Sequence, residues 1–471
     1  MSKISSMMDI GKRSMLNSQS ALQTVSHNIA NKATEGYSRQ RVELTTAQPI
    51  GEGNLQIGMG TRASLVTRTN NPWLEKQIQG ETGKLGFEQG RTDALQRVEQ
   101  IFNEQMNKGL NQYITDFFNS FRELSNNPES TTSRTMVKEA SDALVMDFKR
   151  VINQLESVQK DADERIRNEI NEVNKMVKEV ATLNEKVAQV ETQGMPANDA
   201  RDRRDLLLKN LTEKIDIKFA EGSQGMVTVS TAGNAILVSG YDSYEIGTYR
   251  DPVSERMELT YAGVPGATPF NITERVKGGS VGGAISVRDH VVEDLKSKVD
   301  SIAYTLADEV NRAHSLGFDR AGRQGVELFQ FEQVPGQSFA KHMKLNEVVN
   351  LDVNRIAAGA KPGAAGDNTV ANVISQIQTK AVMDGGAATL DDYYNSQVGS
   401  VGVLAQRAVK TKESQQNILN QLGNIRESIS GVSLDEETTN MIEFQKAFEA
   451  SARVIKAADE MLETVLSLKR M

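Results

Sequence analysis

Histidine is the residue type of this sequence that most readily binds metals or transfers protons, and there are four: His27, His290, His314 and His342. None of them has a second ligand at the spacing of a metal-binding pair. Cysteine is absent, which excludes disulfides, zinc–thiolate sites and cysteine nucleophiles. His27 lies beside Asn28 on a predicted helix, so we interpret it as a polar residue of the helix surface.

Two further segments contain residue types that bind anions. Residues 201–205 (RDRRD) could form an anion site, but their aspartates can pair with the arginines, which favours a salt-bridged helix surface. Residues 278–283 (GGSVGG) lack the glycine spacing of a dinucleotide-binding loop, which favours a flexible turn. No carboxylate stands in a context that predicts burial. We therefore predict no cofactor, no metal and no catalytic role; an enzyme built on residues 220–395 is the least favoured hypothesis.

The composition is typical of long helices rather than of a compact enzyme. A chain of 471 residues is too long for one core, and it has 38% hydrophobic but only 5% aromatic residues. Acidic and basic residues are well mixed at a net charge of −8, so nucleic acid is not an expected partner. No apolar run is long enough for membrane insertion, and the N-terminal segment lacks the apolar stretch of a cleaved signal peptide.

The strongest pattern is a pair of apolar seams, one near each end of the chain. In both, apolar or small residues recur at alternating steps of four and three, which places them on one stripe of a helix, as in a coiled coil. Small residues at Gly11 and Ser18 would allow a close approach of helices. The predicted assembly seam consists of Ile4, Met8, Met15, Leu22, Val25, Ile29, Met441, Phe444, Phe448, Ile455, Leu462 and Val465. Two such stripes bury each other only if the chain returns to its starting point.

Between the seams, the patterns predict long helices and one β region. A helix of about 55 residues is expected to begin at Ser130 or Thr131 and to stop at Gly194 and Pro196. Residues 433–436 (SLDE) are typical of a capping box that opens the last helix. The other predicted helices cover residues 2–30, 72–126, 199–215, 287–315 and the segment that Gly431 ends. Short strands are predicted within 39–69 and, as six or so strands, within 216–286.

The terminal segments resemble a known family. Residues 21–31 (ALQTVSHNIAN) and 34–39 (TEGYSR) are similar to the N-terminal signature of bacterial flagellar axial proteins. Residues 430–437 (SGVSLDEE) and 444–455 (FQKAFEASARVI) resemble the C-terminal pattern of one member family, FlgK, the hook-associated protein 1 of the hook–filament junction. Phe444 and Phe448 stand where that family usually has tyrosine. Interior likeness is found at 198–208, at 288–289 and at 311–317 (NRAHSLG).

The resemblance implies a fold that is mainly α with an inserted β domain, in an elongated multi-domain rod with discontinuous domains. The N- and C-terminal helices would pack together as an α-helical coiled-coil core. The implied domains are a terminal helical core of residues 1–35 plus 432–471, a long helical bundle of 36–215 plus 287–431, and a small β domain of 216–286 that faces outward.

The resemblance also implies a structural role in the bacterial flagellum. The protein would assemble with copies of itself as a ring at the distal end of the hook and would adapt the hook to the filament. Its expected partners are the hook protein, a second junction protein similar to FlgL, and an export chaperone similar to FlgN at the C-terminal region. Its expected location is extracellular, after export through the flagellar type III channel without a cleaved signal peptide.

Two alternatives remain at this point: another flagellar axial subunit of the hook or rod, and an intracellular coiled-coil scaffold. The residues 430–437 and the chain length argue against a hook or rod subunit. Because a lone amphipathic helix is marginally stable in water, we expect the terminal helices to be frayed in the free monomer and ordered on assembly. A scaffold would instead form a soluble oligomer with ordered termini.

Overall fold

A computed structural model describes residues 2–52, 55–102, 108–263, 266–331 and 338–469. Residues 1, 470 and 471 of the predicted terminal domain therefore lie outside the described residues. In order along the chain, the described helices are α1 (Ser2–Ala30), α2 (Pro72–Ile101), α3 (Leu110–Asn126), α4 (Thr131–Glu191), α5 (Asn198–Lys214), α6 (Gly279–Ser286), α7 (Glu293–Ser315), α8 (Phe339–His342), α9 (Glu347–Leu351), α10 (Thr369–Ile377), α11 (Leu390–Ser430) and α12 (Leu434–Lys469). A π-helical segment, Val287–Val292, joins α6 to α7.

The strands are short and form small antiparallel sheets. In chain order they are β1 (Gln40–Thr46), β2 (Ile50–Glu52), β3 (Leu55–Ile57), β4 (Thr61–Arg68), β5 (Ile217–Glu221), β6 (Val227–Thr231), β7 (Ala235–Ser239), β8 (Asp242–Ser243), β9 (Ile246–Arg250), β10 (Met257–Tyr261), β11 (Phe270–Asn271), β12 (Phe329–Phe331) and β13 (Met343–Leu345). Strand β1 pairs with β4, β2 with β3, and β12 with β13; the larger sheets have the orders β5-β6-β7-β8 and β11-β10-β9. The extended segment and the β region predicted from the sequence are thus confirmed.

The two ends of the chain return to each other, as the seams predicted. Helices α1 and α12 lie antiparallel, because Ser14 Oγ is 2.7 Å from Ser451 Oγ while Asn28 bonds to Glu437 near the other end of the pair. The approach is closest at Gly11, where an added Cβ would lie 2.7 Å from Ile455 Cγ1. The predicted fold class, mainly α with paired terminal helices and an inserted β region, is confirmed.

Helix α4 is the longest described element and runs through both apolar cores. It has 61 residues and begins at Ser130, whose side chain accepts a hydrogen bond from the Ser133 amide. At a rise of 1.5 Å per residue it is roughly 90 Å long. Gly194, at φ 79°, follows the end of the helix in a left-handed conformation that glycine adopts without cost.

The buried apolar residues form two large clusters that divide within α4. The first includes the α4 residues up to Val158, together with α3, α7 and much of the chain from 328 to 408. The second begins at Ile166 and joins the rest of α4 to α5, α6 and the sheets of β5 to β11. The β region therefore shares its core with helices α4 and α5. The boundary between the two apolar clusters lies within α4, between Val158 and Ile166.

Two secondary-structure predictions were wrong. The helix predicted over 72–126 is two helices, because Phe102 ends α2 and Gly109 opens α3 with an extended backbone. The glycine-rich residues 278–283, predicted as a flexible turn at the edge of the β region, belong largely to helix α6. Glycine is usually a poor helix former, but here it allows helices to touch through their backbones. A Cβ on Gly283 would overlap the carbonyl oxygen of Phe87 in α2.

Candidate assembly site

The predicted seam residues line the α1–α12 pair. Val25 is buried, and Val465 is 42% exposed. The other ten are half-buried: Ile4, Met8, Met15, Leu22, Ile29, Met441, Phe444, Phe448, Ile455 and Leu462. In the register set by Gly11 and Ile455, Leu22 lies at the level of Phe444, and Ile4 lies at the level of Leu462. The two seams are thus brought side by side, and most of their side-chain surface is covered.

A second set of apolar side chains on the same helices faces solvent. Ile442 is 59% exposed and stands on α12 away from the seam rhythm. Besides Val465 of the seam, the other exposed apolar residues of these helices and of α11 are Met7, Leu16, Val403, Ile418, Ile425, Ile429, Leu434, Val454, Met461 and Leu466. Apolar side chains that face solvent together on a surface are candidates for a site of association. We call these residues the outer apolar stripe.

Beneath the helix pair, Asn28 is the centre of a buried polar network. Its Nδ2 donates to the Gln40 carbonyl at 2.9 Å and to Glu437 Oε2 at 3.0 Å. Its Oδ1 accepts from the Gln40 amide at 2.9 Å and from Tyr37 Oη at 2.8 Å. Both donors and both acceptor sites of the amide are used. One side chain therefore links α1, β1 and α12. Asn28 and Tyr37 both lie in the segment NIAN…GYSR, which resembles the family signature.

Glu437 is a carboxylate with only 1% of its surface exposed, and Arg39 supplies its positive partner. Arg39 Nε lies 2.7 Å from Glu437 Oε1, and Arg39 Nη1 donates to Glu436 Oε2 at 2.7 Å. The predicted capping box expected the Glu436 side chain to bond back to the start of its own helix. In the structure, its carboxylate accepts a hydrogen bond from Arg39 instead. The amide of Arg39 also donates to the Ser430 carbonyl at 2.9 Å, which ties β1 to the end of α11.

The network continues into α5 through Tyr37. Burial, together with the negative charges of Asp199, Asp202 and Glu437, raises the pKa of the Tyr37 hydroxyl well above its usual value. The tyrosine therefore stays protonated and donates its hydrogen to Asn28. His27 completes this side, because its Nε2 is 3.3 Å from Asp199 Oδ1 and its ring meets that of Tyr37 edge-on.

Charged residues within 201–205 form ion pairs with residues elsewhere in the chain rather than with one another. Arg68 Nη1 donates to Asp202 Oδ1 at 2.7 Å and to Asp205 Oδ2 at 2.8 Å. Asp202 also accepts from the Ser38 amide at 2.9 Å. Burial raises the pKa of Asp202, and the bonds from Ser38 and Arg68 oppose that rise. The predicted salt-bridged surface was wrong in its partners and in its exposure, since Asp202 is buried.

Arg204, in the same cluster, is a structural cation inside the second core. It is 1% exposed and donates to the Gly225 carbonyl at 2.6 Å and to Asn184 Oδ1 at 3.2 Å. Burial lowers its pKa. Asn184 also accepts from the Val227 amide, so this guanidinium connects α4 and α5 to the start of β6.

A further buried ion pair was missed by the sequence analysis. Arg288 Nη1 donates to Asp163 Oδ1 at 2.7 Å and to the Met257 carbonyl at 2.6 Å, and Arg288 Nε donates to Asp289 Oδ1 at 2.8 Å. These bonds join α4 and β10 to the π-helical segment. The signal was present: Arg288 stands among valines at 287, 291 and 292, a context that buries its neighbours on the helix.

The remaining histidines do not form a metal site. His314, predicted only through a family motif, is fully buried: its Nε2 accepts from the Ala357 amide at 2.8 Å and its Nδ1 meets the Val326 carbonyl. His290 is exposed. Among the described residues, no group of three or more histidines or carboxylates is arranged to hold a metal ion. The described helices also include none that is both long and apolar enough to cross a bilayer.

Comparison with known families matches two parts of the chain. Residues 95–329 match the family described as the flagellar hook-associated protein FlgK helical domain. Residues 426–468, which contain nearly all of α12, match the flagellar basal body rod FlgEFG protein C-terminal family. The first match covers the second apolar core and part of the first, whose residues beyond 329 lie outside it, and the second match covers the C-terminal half of the predicted seam.

Relatives match along almost the whole chain. Flagellar hook-associated protein 1 of Bacillus subtilis (strain 168) is 28% identical over 98% of this chain and 97% of its own length. The protein of the same name from Escherichia coli (strain K12) is 23% identical over 96% of this chain and 97% of its own. Among solved structures, the flagellar hook junction protein FlgK from Burkholderia pseudomallei aligns with a TM-score of 0.68 at 13% identity. It covers 75% of this chain and 100% of its own, and this likeness concerns the fold alone.

Proposed function

The chain belongs to the FlgK family, flagellar hook-associated protein 1, and from this membership we propose that it forms a ring at the distal end of the hook. As a hook-associated structural protein it takes part in flagellum assembly and motility. In the proposed ring it adapts the hook to the filament through the next junction protein. We propose no catalytic step for it. Its partners in this account are copies of itself, the hook protein and a second junction protein similar to FlgL.

The observation that carries this proposal is the half-covered pair of terminal helices. Each helix of the pair covers one side of the other, while the outer apolar stripe faces solvent from Leu434 to Leu466 on α12 and along the last turns of α11. Burial of a Leu, Val, Ile or Met side chain contributes about 1.5–3 kcal/mol. A neighbouring copy that covers several of these residues would stabilise both the pair and the contact. We infer that the predicted seam residues hold the pair together and that the outer apolar stripe makes the contacts between copies.

We propose that residues 1–35 and 432–471 act as the terminal helical core, 36–215 and 287–431 as the helical bundle, and 216–286 as the outward β part. The Asn28 network supports the first boundary, because it joins α1 to α12 where both meet the rest of the chain. The shared core of α4, α5 and β5 to β11 attaches the β part firmly to the bundle.

We infer passage through the flagellar type III channel without a cleaved signal peptide, and delivery to an extracellular position on the flagellum. A chaperone similar to FlgN would cover the C-terminal region before export. The outer apolar stripe supports that step, since α12 presents apolar side chains that need cover before assembly.

The proposal is tested by expressing variants in cells that lack their own copy of this protein. We expect Leu22→Lys and Leu462→Lys to separate the helix pair, because each places a charge in the seam, and to block filament growth at the hook tip. Ile442→Lys leaves the pair intact and should also block growth, because Ile442 faces the proposed neighbour. Electron microscopy of hooks and filaments gives the readout, and circular dichroism checks that the variants keep their helical content.

Gln23→Lys is the matched control, since Gln23 is exposed beside Leu22. It adds the same charge outside the seam and should support normal filaments. Filaments of normal number and length on cells with Leu22→Lys or Ile442→Lys would refute the proposed role of these helices in assembly.

A further inference from the structure

Helix α1 has a second buried side, which faces the β1–β4 hairpin rather than α12. We call residues 40–68 the β arm. Ile10, Asn17 and Asn28 stand on this side of α1, since steps of seven and eleven residues return to nearly the same direction on a helix. Ile10 Cγ2 approaches Gly60, where an added Cβ would lie 3.4 Å away. Helix α1 is therefore packed between α12 on one side and the β arm on the other.

Two side-chain amides of α1 bond to the edges of the β arm. Asn17 Oδ1 accepts from the Ala63 amide at 2.8 Å, and Asn17 Nδ2 donates to the Thr61 carbonyl at 2.9 Å. Asn28 makes the same pair of bonds with the amide and the carbonyl of Gln40, each at 2.9 Å. A neighbouring strand would offer this combination of one donor and one acceptor to a sheet edge. The two asparagines thus take the place of a third strand, one on β4 and one on β1.

These bonds make the outer part of the arm depend on α1, whereas its base is also held by α5, through Arg68 to Asp202 and Asn198 to the Val66 carbonyl. Among the strands that the structure describes, β1 and β4 pair only with each other, and a two-stranded hairpin is marginally stable in water. Most side chains of the arm from 43 to 65 that the structure describes are exposed, with Ala47 and Met59 as buried exceptions. The arm therefore has little core of its own. Its backbone edges, if left open, would be available for pairing with other strands.

We propose that α1 is a strap that closes over the β arm, so that docking of α1 on α12 and ordering of the arm are one coupled event. The link to α12 is direct, because Asn28 Nδ2 donates both to the Gln40 carbonyl and to Glu437 of α12. When α1 leaves α12, the strap opens and the edges at Gln40, Thr61 and Ala63 lose their partners.

Hydrogen–deuterium exchange of the full chain, read by mass spectrometry on peptides of the arm, tests this coupling. The variant is Ile455→Asp, which places a charge opposite Gly11 in the α1–α12 contact and touches no residue of the arm network described above. We expect amides of β1 and β4 to exchange roughly tenfold faster or more, together with those of α1, because local opening frees their bonds. Ala457→Asp is the matched control: it puts the same charge on an exposed position two residues away, outside both the seam and the outer apolar stripe, and should leave exchange unchanged.

An exchange rate of the arm that stays at the wild-type value while α1 and α12 exchange faster would overturn the inference. A second variant, Asn17→Ala, removes only the bonds to Thr61 and Ala63, so it tests the strap even if α1 remains docked. Unchanged protection of the β4 peptide in that variant would equally refute it. Neither measurement involves flagellar assembly, so the outcome is independent of the proposed junction role.

Discussion

His314 shows how one buried residue makes the stability of this protein depend on pH. The Ala357 amide can only donate, so Nε2 of His314 accepts and Nδ1 carries the hydrogen that points to the Val326 carbonyl. Burial lowers the pKa of the imidazole to about 4, with Arg134 and Arg355 adding repulsion. The folded protein therefore holds this histidine neutral, whereas the unfolded chain protonates it near pH 6.5.

We expect acid to weaken the fold through His314. Because the folded pKa lies below the unfolded one, the unfolded state binds more protons between about pH 6.5 and 4, and the free energy of unfolding falls as pH falls through that window. The loss between pH 7 and pH 5 should be about 2 kcal/mol. Urea unfolding at both pH values measures it, and His314→Gln should remove this part of the pH dependence.

Asp216 is a useful counterpart, because its effect has the opposite sign. Burial raises the pKa of its carboxyl to about 6, so the folded state binds more protons than the unfolded one between about pH 6 and pH 4. Asp216→Asn should therefore make the acid loss steeper rather than shallower. An identical pH dependence in the wild type and in His314→Gln would show that the imidazole does not control it.

At the residue scale, the sequence predicted apolar positions better than polar ones. The period of the seams depends only on the helix, so Leu22 and Phe444 were found without knowing the fold. The burial of Asn28, Arg204 and Glu437 depends on partners in other elements of the fold. The partner of Glu437 is hundreds of residues away along the chain. Local sequence does not contain that information, and the family resemblance marked the positions without giving their bonds.

Helix contacts in this molecule rely on glycines that permit backbone contact. A Cβ on Gly90 of α2 would overlap the carbonyl oxygen of Ser280 in α6, and one on Gly86 would overlap that of Glu213 in α5. These contacts lie where α2 crosses the second core. Each contact requires the absence of a side chain on the glycine. Its contribution to stability can therefore be measured by adding a methyl group there.

A pair of glycine substitutions on α2 tests this. We expect Gly90→Ala to destabilise the protein by about 1–3 kcal/mol or more, because the helices must move apart. Gly80→Ala, on the same helix with open space around it, should stabilise by about 0.5–1 kcal/mol, since alanine favours a helix. Thermal unfolding gives both values. Equal effects of the two substitutions would mean that the close crossing is not a constraint.

At the element scale, the helices with regular periods were predicted correctly and the exceptions have physical causes. Helix α4 was expected from its four-three steps and its Ser130 cap. Helix α6 was missed because glycine normally opposes a helix, and only the contact with α2 explains its use there. The break between α2 and α3 was missed because apolar residues continue on both sides of Gly109.

The whole molecule combines two extensive apolar cores with a pair of terminal helices, α1 and α12, that bury much less apolar surface. Helix α12 buries one narrow stripe and α1 buries two, against α12 and against the β arm, whereas α4 is buried on several sides by both cores. Cooperative stability follows the amount of buried contact, so the terminal pair is expected to open first. This agrees with the expectation that the ends order fully when copies assemble, which stays a prediction.

Limited trypsin digestion of dilute monomer tests that expectation. We expect early cleavage near Lys12 and Lys456, and slow cleavage within α4, because proteases cut segments that open locally. Concentrated, assembled protein is the control and should protect both ends. If α1 and α12 resist trypsin in the monomer as long as the cores do, ordering is not coupled to assembly, and the scaffold alternative gains support.

The continuity of α4 restricts how segments can be exchanged between this protein and its relatives. Because Val158 packs in one core and Ile166 in the other, the number of residues between them fixes how the two cores are rotated about the helix axis. An insertion of one residue there would turn the distal core by about 100°, whereas seven residues would return it to within about 20° of its direction. A chimera that joins two relatives inside this helix should therefore preserve the spacing or change it by whole heptads.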